Sequence, residues 1–318
     1  MTSAPRIVAV FGPTGSGKTE VAVELAARLG TEVVNCDPAQ CYRGLPILTN
    51  QPGAEHDAVA RHRMVGVWSL QHRATFVDFA AQAHRELDAL IADRGHAVAC
   101  GGSGLYLQAA LTQLPDPEEG GAPNHDPAAR TELEARYDAG GAAVLHAELL
   151  QLDPGVGLRV HANDRPRIIR GLEVARRGES ISPDGGSHWD VERRHPTQLV
   201  GLAVAREVIR ARIDARTGGM FDRGLLEEVA AQAGAHGELA DAVFSHTARK
   251  LHGLEDCLGV LRGDWTRERA IELMATRTRQ YAKRQVTWGR RWPGLTWVEA
   301  TDGDTSRIAG DVLAHRST

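Results

Sequence analysis

Gly12-Pro13-Thr14-Gly15-Ser16-Gly17-Lys18-Thr19 restricts the folds open to this chain more than any other stretch. It fits G-x-x-x-x-G-K-[ST] in full, the pattern of a phosphate-binding loop. Its flanks fit as well. Residues 6–11 are an apolar run of strand length, and Val21, Leu25, Ala26 and Leu29 follow at helical spacing. Strand, glycine-rich turn and helix are what the chemistry needs. Glycines let successive backbone N–H groups converge on one anion, and the helix N-terminus adds partial positive charge. Lys18 brings a full charge to the phosphates, and the Thr19 hydroxyl can reach a magnesium ion. The motif specifies a polyphosphate, but not which one or what is done to it.

The 318 residues, 42% hydrophobic and 25% charged, suffice for a sizeable core in one domain, or one domain with an insertion. A net charge of −4 argues against a basic protein that coats nucleic acid indiscriminately and leaves room for a local basic face. Cys36, Cys41, Cys100 and Cys257 form no C-x-x-C pair and show no ligand spacing with histidine. That argues against zinc and for a reducing cytoplasm. No apolar run reaches spanning length, and the early first strand leaves no room for a signal peptide, so a cytoplasmic protein without a membrane partner is expected.

Residues 31–37 read as a second strand ending in Asp37, a carboxylate placed toward the ligand edge of an open parallel sheet. Residues 38–44 turn away as a loop, and 53–71 read as irregular. Residues 76–93 are amphipathic, with Phe76, Phe79, Ala83, Leu87 and Leu90 on one side. Residues 96–100 are a third strand running into Gly101-Gly102-Ser103-Gly104, a second glycine-rich turn able to face the same crevice. Pro115-Asp116-Pro117 and Gly120-Gly121 then open a region that Pro183-Asp184-Gly185-Gly186 closes, with helical patterns near 127–138, 141–151 and 163–177. This predicts a helical insertion at 114–195 in a core made of 1–113 and 196–318. Asn163 is the expected cap of the insertion's third helix, which Arg165, Arg167, Arg170, Arg176 and Arg177 make basic. A strand at 197–202 and helices at 205–216, 221–232, 247–262 and 267–288 complete the chain. Arg206 and Arg212 stand six apart, about 600° of helix rotation, and so lie on neighbouring flanks. Between Arg267 and Arg291 there are eight basic and two acidic residues, with Trp288 and Trp292 among or beside them. Such interleaving suits phosphate contact with base stacking.

From the residues alone, two chemistries stay open. In a kinase or NTPase, Asp37 would hold magnesium at a strand end and a phosphoryl group would move. Alternatively, the polyphosphate is a leaving group and Asp37 is a base serving the nucleophile.

Four segments bear on that choice. Asp37-Pro38-Ala39-Gln40-Cys41-Tyr42-Arg43-Gly44 resembles the D-S-x-Q-x-Y-[RK]-G segment of tRNA dimethylallyltransferases (tRNA isopentenyltransferases), and Gly101 to Tyr106 resembles their G-G-[TS]-G-L-Y turn. His161-Ala162-Asn163-Asp164 with Arg167-Ile168-Ile169-Arg170-Gly171-Leu172-Glu173-Val174 is similar to H-P-N-D-x-x-R-I-x-R-A-L-E-V. Tyr281-Ala282-Lys283-Arg284-Gln285-Val286-Thr287-Trp288 is similar to Y-A-[KR]-R-Q-x-T-W. The segments occur in family order. The resemblance implies an α/β fold: a P-loop NTPase-like parallel sheet flanked by helices, with a small helical insertion domain contacting tRNA. It implies transfer of a dimethylallyl group from dimethylallyl diphosphate to N6 of an adenosine beside the anticodon, by a monomer acting on the anticodon stem-loop. Gly12, Pro13, Thr14, Gly15, Ser16, Gly17, Lys18 and Thr19 would hold the diphosphate, with Mg²⁺ at Thr19. Arg206 and Arg212, matching R-E-x-x-x-x-R, and Ser103 would serve the same site. Asp37 would accept the N6 proton, and Gln40, beside Pro38 and Ala39, would help hold the flipped-out adenine. Arg130, Arg167, Arg170 and Lys283, Arg284 and Gln285 fall where the family touches tRNA.

The chemistry is coherent with those roles. Breaking an allylic C–O bond develops positive charge on carbon and negative charge on diphosphate, which fixed cations stabilise. A carboxylate helps a weakly nucleophilic amine by taking its proton. The chain departs from the family pattern at Pro38 (usually Ser), Ala39, residues 48–52 and residues 61–67, and at Gly289, where Phe is common. Pro38 and Gly66 sit near the expected acceptor contacts. An adenylate isopentenyltransferase using a free nucleotide, a small-molecule kinase and a nucleotide-binding regulator without turnover are the rival classes. The helical insertion and the basic helix favour tRNA, since a mononucleotide needs neither.

Overall fold

The computed structural model describes residues 6–113, 127–180, 192–233 and 243–314. The Pro/Gly clusters expected to bound the insertion lie outside them. In chain order the elements are β1 (Ile7–Phe11), α1 (Lys18–Leu29), β2 (Val33–Asn35), α2 (Pro46–Thr49), α3 (Ala54–Asp57), β3 (His62–Arg63), α4 (Phe76–Arg94), β4 (Ala97–Gly101) and α5 (Gly104–Leu111). Then come α6 (Pro127–Arg136), α7 (Ala142–Leu152), α8 (Pro154–Gly157) and α9 (Arg165–Ala175). The chain ends with β5 (Thr197–Ala203), α10 (Arg206–Asp222), α11 (Leu225–Ala233), α12 (Leu254–Leu261), α13 (Arg267–Gly289), β6 (Thr296–Glu299) and α14 (Thr305–Ala314).

The chain forms two compact units, residues 1–113 with 192–318, and residues 114–191. In the first, six strands form one parallel sheet in the order β3-β2-β4-β1-β5-β6. β1 is central, and all five of its residues are buried. Helices flank the sheet, the P-loop NTPase-like α/β arrangement expected from the sequence. One core cluster joins Val8 and Val10 of β1 to Val21, Leu25 and Ala26 of α1 and Ile308, Ala309 and Val312 of α14. The order β2-β4-β1 matters most for the site. It sets three strand C-termini side by side, where open parallel sheets bind ligands.

Local signals explain most element ends. α1 closes on Gly30, whose φ of 64° lets its N–H reach the Ala26 and Ala27 carbonyls. Thr75 caps α4 by accepting from Asp78 N–H, and Thr266 caps α13 by accepting from Arg269 N–H.

Several expectations need correction. β2 stops at Asn35, because the Asn35 side chain takes the Asp37 N–H at 3.0 Å and turns the chain. Residues 38–41 are then a 3-10 turn. The region at 53–71 contains α3 and the short edge strand β3. α10 runs six residues past Arg216 and takes in Phe221, and the break before α11 falls at Gly224 with φ 91°. The helix expected at 247–262 is interrupted at Gly253, φ 87°. Residues 192–195 pack with the first unit. Arg194 N–H bonds the Leu111 carbonyl at 2.9 Å, and Arg194 and His195 both hold Asp88, at 2.8 and 2.6 Å.

The second unit has its own core of Leu133, Leu145, Leu149, Ile168, Ile169 and Leu172. Asp164 caps α9, accepting from Arg167 N–H at 3.3 Å, where Asn163 was expected to do so.

Candidate active site

The loop after β1 has the shape its glycines allow. Gly15 and Gly17 sit at φ 84° and 83°, a region that side chains disfavour. Ser16 N–H bonds the Pro13 carbonyl at 3.1 Å, and Val21 N–H bonds the Gly17 carbonyl at 3.2 Å. The amides ahead of Val21 are those a helix start leaves without an intrahelical acceptor. Three side chains from far along the chain brace the loop. Gln285 Oε1 accepts the Thr14 N–H at 2.9 Å. Arg212 donates to the Gly15 carbonyl at 3.3 Å, and Arg216 donates to the Thr14 hydroxyl.

The turn after β4 is placed by contact. Gln285 Nε2 donates to the Gly102 carbonyl at 2.7 Å, so one buried amide ties both glycine turns together. A Cβ on Gly102 would lie 2.5 Å from that nitrogen, and one on Gly104 would lie 1.7 Å from the Trp288 ring. Ser103 sits at the N-terminus of α5, and it and Gln285 lie beside the half-buried Tyr281 hydroxyl. Burial pushes the Tyr281 hydroxyl far up in pKa, and the charge on Asp37 adds to that.

Asp37 stands two residues past β2. Its Oδ1 accepts Ala39 N–H at 3.1 Å, which caps the 3-10 turn and fixes the carboxylate. Burial raises the carboxyl above its usual range, while Lys18, the Ala39 N–H and Arg216 pull it down. Gln40 Nε2 donates to the Asn50 carbonyl at 2.6 Å.

These groups line one cavity of about 850 Å³. Its wall includes Thr14, Gly15, Ser16, Gly17, Lys18 and Thr19, then Asp37, Pro38, Ala39, Gln40, Ser103, Arg212, Arg216 and Gln285. Leu48, Met220, Leu251 and Met274 add apolar surface, and Tyr42, Tyr106, Tyr281 and His252 add rings. A cationic end and an apolar-aromatic remainder suit a ligand that is a polyphosphate at one end and apolar or planar at the other.

Not every expected residue joins the cavity. Arg206 is exposed at the first turn of α10 and is not part of the wall, whereas Arg216 is. Gln285, expected on a nucleic-acid surface, is 5% exposed and bonded to both glycine turns. Its neighbours Lys283 and Arg284 are exposed, and Arg284 lies over the Tyr281 ring. In the second unit Arg130 and Arg170 share the buried carboxylate of Glu173, at 3.3 and 3.4 Å. Arg167 is 72% exposed. Arg216 lies outside the quoted motifs, and Tyr281 opens one of them without having been given a role. Helical spacing carried the signal, since each stands four residues from a site residue, Arg212 or Gln285.

The sequence profile of the IPP transferase family matches residues 40–292, and that of isopentenyl transferase matches residues 5–72. The tRNA dimethylallyltransferase of Anaeromyxobacter dehalogenans (strain 2CP-C) is 39% identical over 297 residues, 92% of this chain and 94% of that one. That of Geobacter sulfurreducens is 34% identical, with 93% of each chain covered. Among solved structures, the full-length tRNA isopentenylpyrophosphate transferase of Bacillus halodurans is similar at a TM-score of 0.67 and 28% identity, with 98% of both chains covered. A eukaryotic dimethylallyltransferase acting on tRNA shares the fold at a TM-score of 0.80 and 24% identity, covering 98% of this chain and 80% of that one. Both the motifs around the cavity and the length of these matches lead to one assignment: the chain belongs to the IPP transferase family, that of the tRNA dimethylallyltransferases.

Proposed function

We propose that this protein transfers a dimethylallyl group from dimethylallyl diphosphate to N6 of the adenosine beside the tRNA anticodon and releases diphosphate. One observation carries the reading. Asp37 and the braced phosphate loop line a single cavity, from the ends of two strands, β2 and β1, that have only β4 between them. The N6 lone pair attacks the allylic carbon, the carbon–oxygen bond breaks, and Asp37 takes the N6 proton. Lys18, Arg212 and Arg216 receive the negative charge that develops on the diphosphate. Arg206 is left out of that role because it is absent from the cavity wall. The raised pKa of Asp37 suits a base, since it brings proton affinity nearer the working pH. An adenine stacked in an anticodon loop must be extruded to enter such a cavity.

A divalent ion, read here as Mg²⁺, fits as part of the diphosphate complex. Among the described residues no group of three or more His, Cys, Asp or Glu side chains is placed to hold a metal. Mg²⁺ commonly uses one or two protein oxygens with substrate phosphates, and the Thr19 hydroxyl at the cavity wall is one that could serve. When bound, it would neutralise leaving-group charge. Lys283 and Arg284 on α13, and Arg167 in the second unit, supply exposed cations for the anticodon stem-loop. The reading has a single chain acting alone in the cytoplasm. No described helix is long and apolar enough to cross a membrane.

The test incubates the protein with dimethylallyl diphosphate and either tRNA or AMP, and looks for N6-prenylated adenosine by mass spectrometry. Product on tRNA is expected. Product on AMP alone would move the assignment to a free-nucleotide enzyme, and no product with either acceptor would refute the reading.

A further inference from the structure

A second cavity of about 20 Å³ also has Asp37 in its wall. That volume holds one water molecule. His62, from the edge strand β3, lies on the same wall. The His62 side chain is 4% exposed. Its Nδ1 is 2.9 Å from Asp57 Oδ1, which also accepts the His62 backbone N–H at 3.0 Å. An ionised carboxylate only accepts, so the ring proton belongs on Nδ1 and Nε2 carries a bare lone pair. Nε2 is buried and has no hydrogen-bond partner among the described residues. Burial also lowers the pKa of the ring, with Asp57 opposing and His56 reinforcing that shift, so the ring is neutral near pH 7.

The other polar groups of this cavity decide what fits. The Asn35 side chain is fully engaged: Nδ2 donates to the Asp37 and Met64 carbonyls at 3.0 Å each, and Oδ1 accepts the Asp37 N–H. Asp37 Oδ1 takes the Ala39 N–H, and the carboxylate still has lone pairs to offer. His62 and Asp37 therefore both line a space of one water, and each has acceptor capacity to spare. A neutral molecule with two donors satisfies both.

We infer that His62, held in one tautomer by Asp57, seats a buried water that donates to the Asp37 carboxylate and fixes its orientation for proton removal. His62 and Asp57 are positioning residues, and their role rests on the assignment of Asp37 as the base. Lys18 is the one cation on the wall of this small cavity, and an ammonium donating straight to Nε2 is the competing arrangement.

The test has two arms. A crystal structure of the ligand-free protein at better than about 2 Å should show water within hydrogen-bonding distance of both His62 Nε2 and Asp37. ¹⁵N shifts should show the His62 ring protonated at Nδ1. Lys18 Nζ on Nε2, or an Nε2-protonated ring, would overturn the inference. In the second arm, His62→Phe keeps a flat ring and removes the acceptor, while His62→Gln keeps an acceptor. We expect kcat to fall about tenfold in His62→Phe with both KM values within about twofold, and to stay within about threefold of wild type in His62→Gln. Adding His62→Phe to Asp37→Asn should cause no further loss, because the water acts only through that carboxylate. Equal losses in the Phe and Gln variants, a His62→Phe kcat within twofold of wild type, or full additivity with Asp37→Asn would each overturn it. If wild type lacks transferase activity, the structural arm still reads out. Failure of the functional assignment is thus distinguished from failure of the water site.

Discussion

Gln285→Met tests whether one buried amide holds the phosphate site together. Methionine matches glutamine closely in volume, so the change removes hydrogen bonds with little change in packing. Two main-chain groups lose their partners: the Thr14 N–H at 2.9 Å and the Gly102 carbonyl at 2.7 Å. The buried carbonyl costs about 2 kcal/mol when left without a donor, and the part-buried Thr14 N–H, which cavity water can reach, about 1 kcal/mol more. The sum, roughly 3 kcal/mol, lowers Tm by roughly 4–6 °C in a chain of this size. Affinity for inorganic diphosphate should fall about tenfold, because a loop released at Thr14 must be ordered by the ligand. Calorimetric melting and titration with diphosphate measure the two effects. Gln285→Glu should do no better, since its second oxygen would face the Gly102 carbonyl as another acceptor and its charge would oppose the diphosphate. If Gln285→Met loses under about 1 kcal/mol of stability and keeps diphosphate affinity, the bracing argument is wrong.

Other expectations follow from the same geometry. Asp37→Ala should retain diphosphate and tRNA binding and lose most transfer; near-normal turnover would remove Asp37 from the role of base. Asp37→Asn keeps the cap on Ala39 N–H and removes a charge that burial disfavours. The folded-state pKa of Asp37 lies above its unfolded value near 3.8, so the wild type loses stability, relative to the Asn variant, as pH rises from below that value through the folded pKa. The Tm difference should thus be near zero in acid and favour Asn at neutral pH, and a pH-independent difference would contradict this. Gly104→Ala forces a Cβ toward the Trp288 ring and should cost about 3 kcal/mol in chemical denaturation. Lys283→Ala with Arg284→Ala should weaken tRNA binding and flatten its salt dependence by up to two phosphate contacts, leaving diphosphate binding unchanged in titration.

Much of the core was legible because its signals are local. Strand runs ending in Phe11, Cys100 and Leu202 and the helical spacing after Thr19 each need only their neighbours to be read. Asp37 was legible for the same reason, as a carboxylate closing an apolar run. What escaped depends on partners distant in sequence. Gln285 looks like one more polar residue on a basic helix until the fold brings it against Thr14. Arg206 and Arg212 share a motif, yet only Arg212 faces the loop, because the register of α10 against α13 and the sheet decides which flank turns inward. The second turn read as glycine-rich backbone able to face the crevice. Gly102 and Gly104 prove to be points of close approach for Gln285 and Trp288, a constraint written in residues almost two hundred positions away.

The bond between Thr14 and Gln285 spans 271 positions. Synthesis proceeds from the N-terminus, so the phosphate motif leaves the ribosome well before the residue that braces it has been made. A nascent chain thus displays every residue of the motif without the partner that sets the motif's shape. Closing so long a loop is slow and comes late in folding. A product that stops short of α13 would carry the signature of a phosphate binder and lack the grip of one, so that competence to hold the isoprenoid donor reports that translation has passed α13.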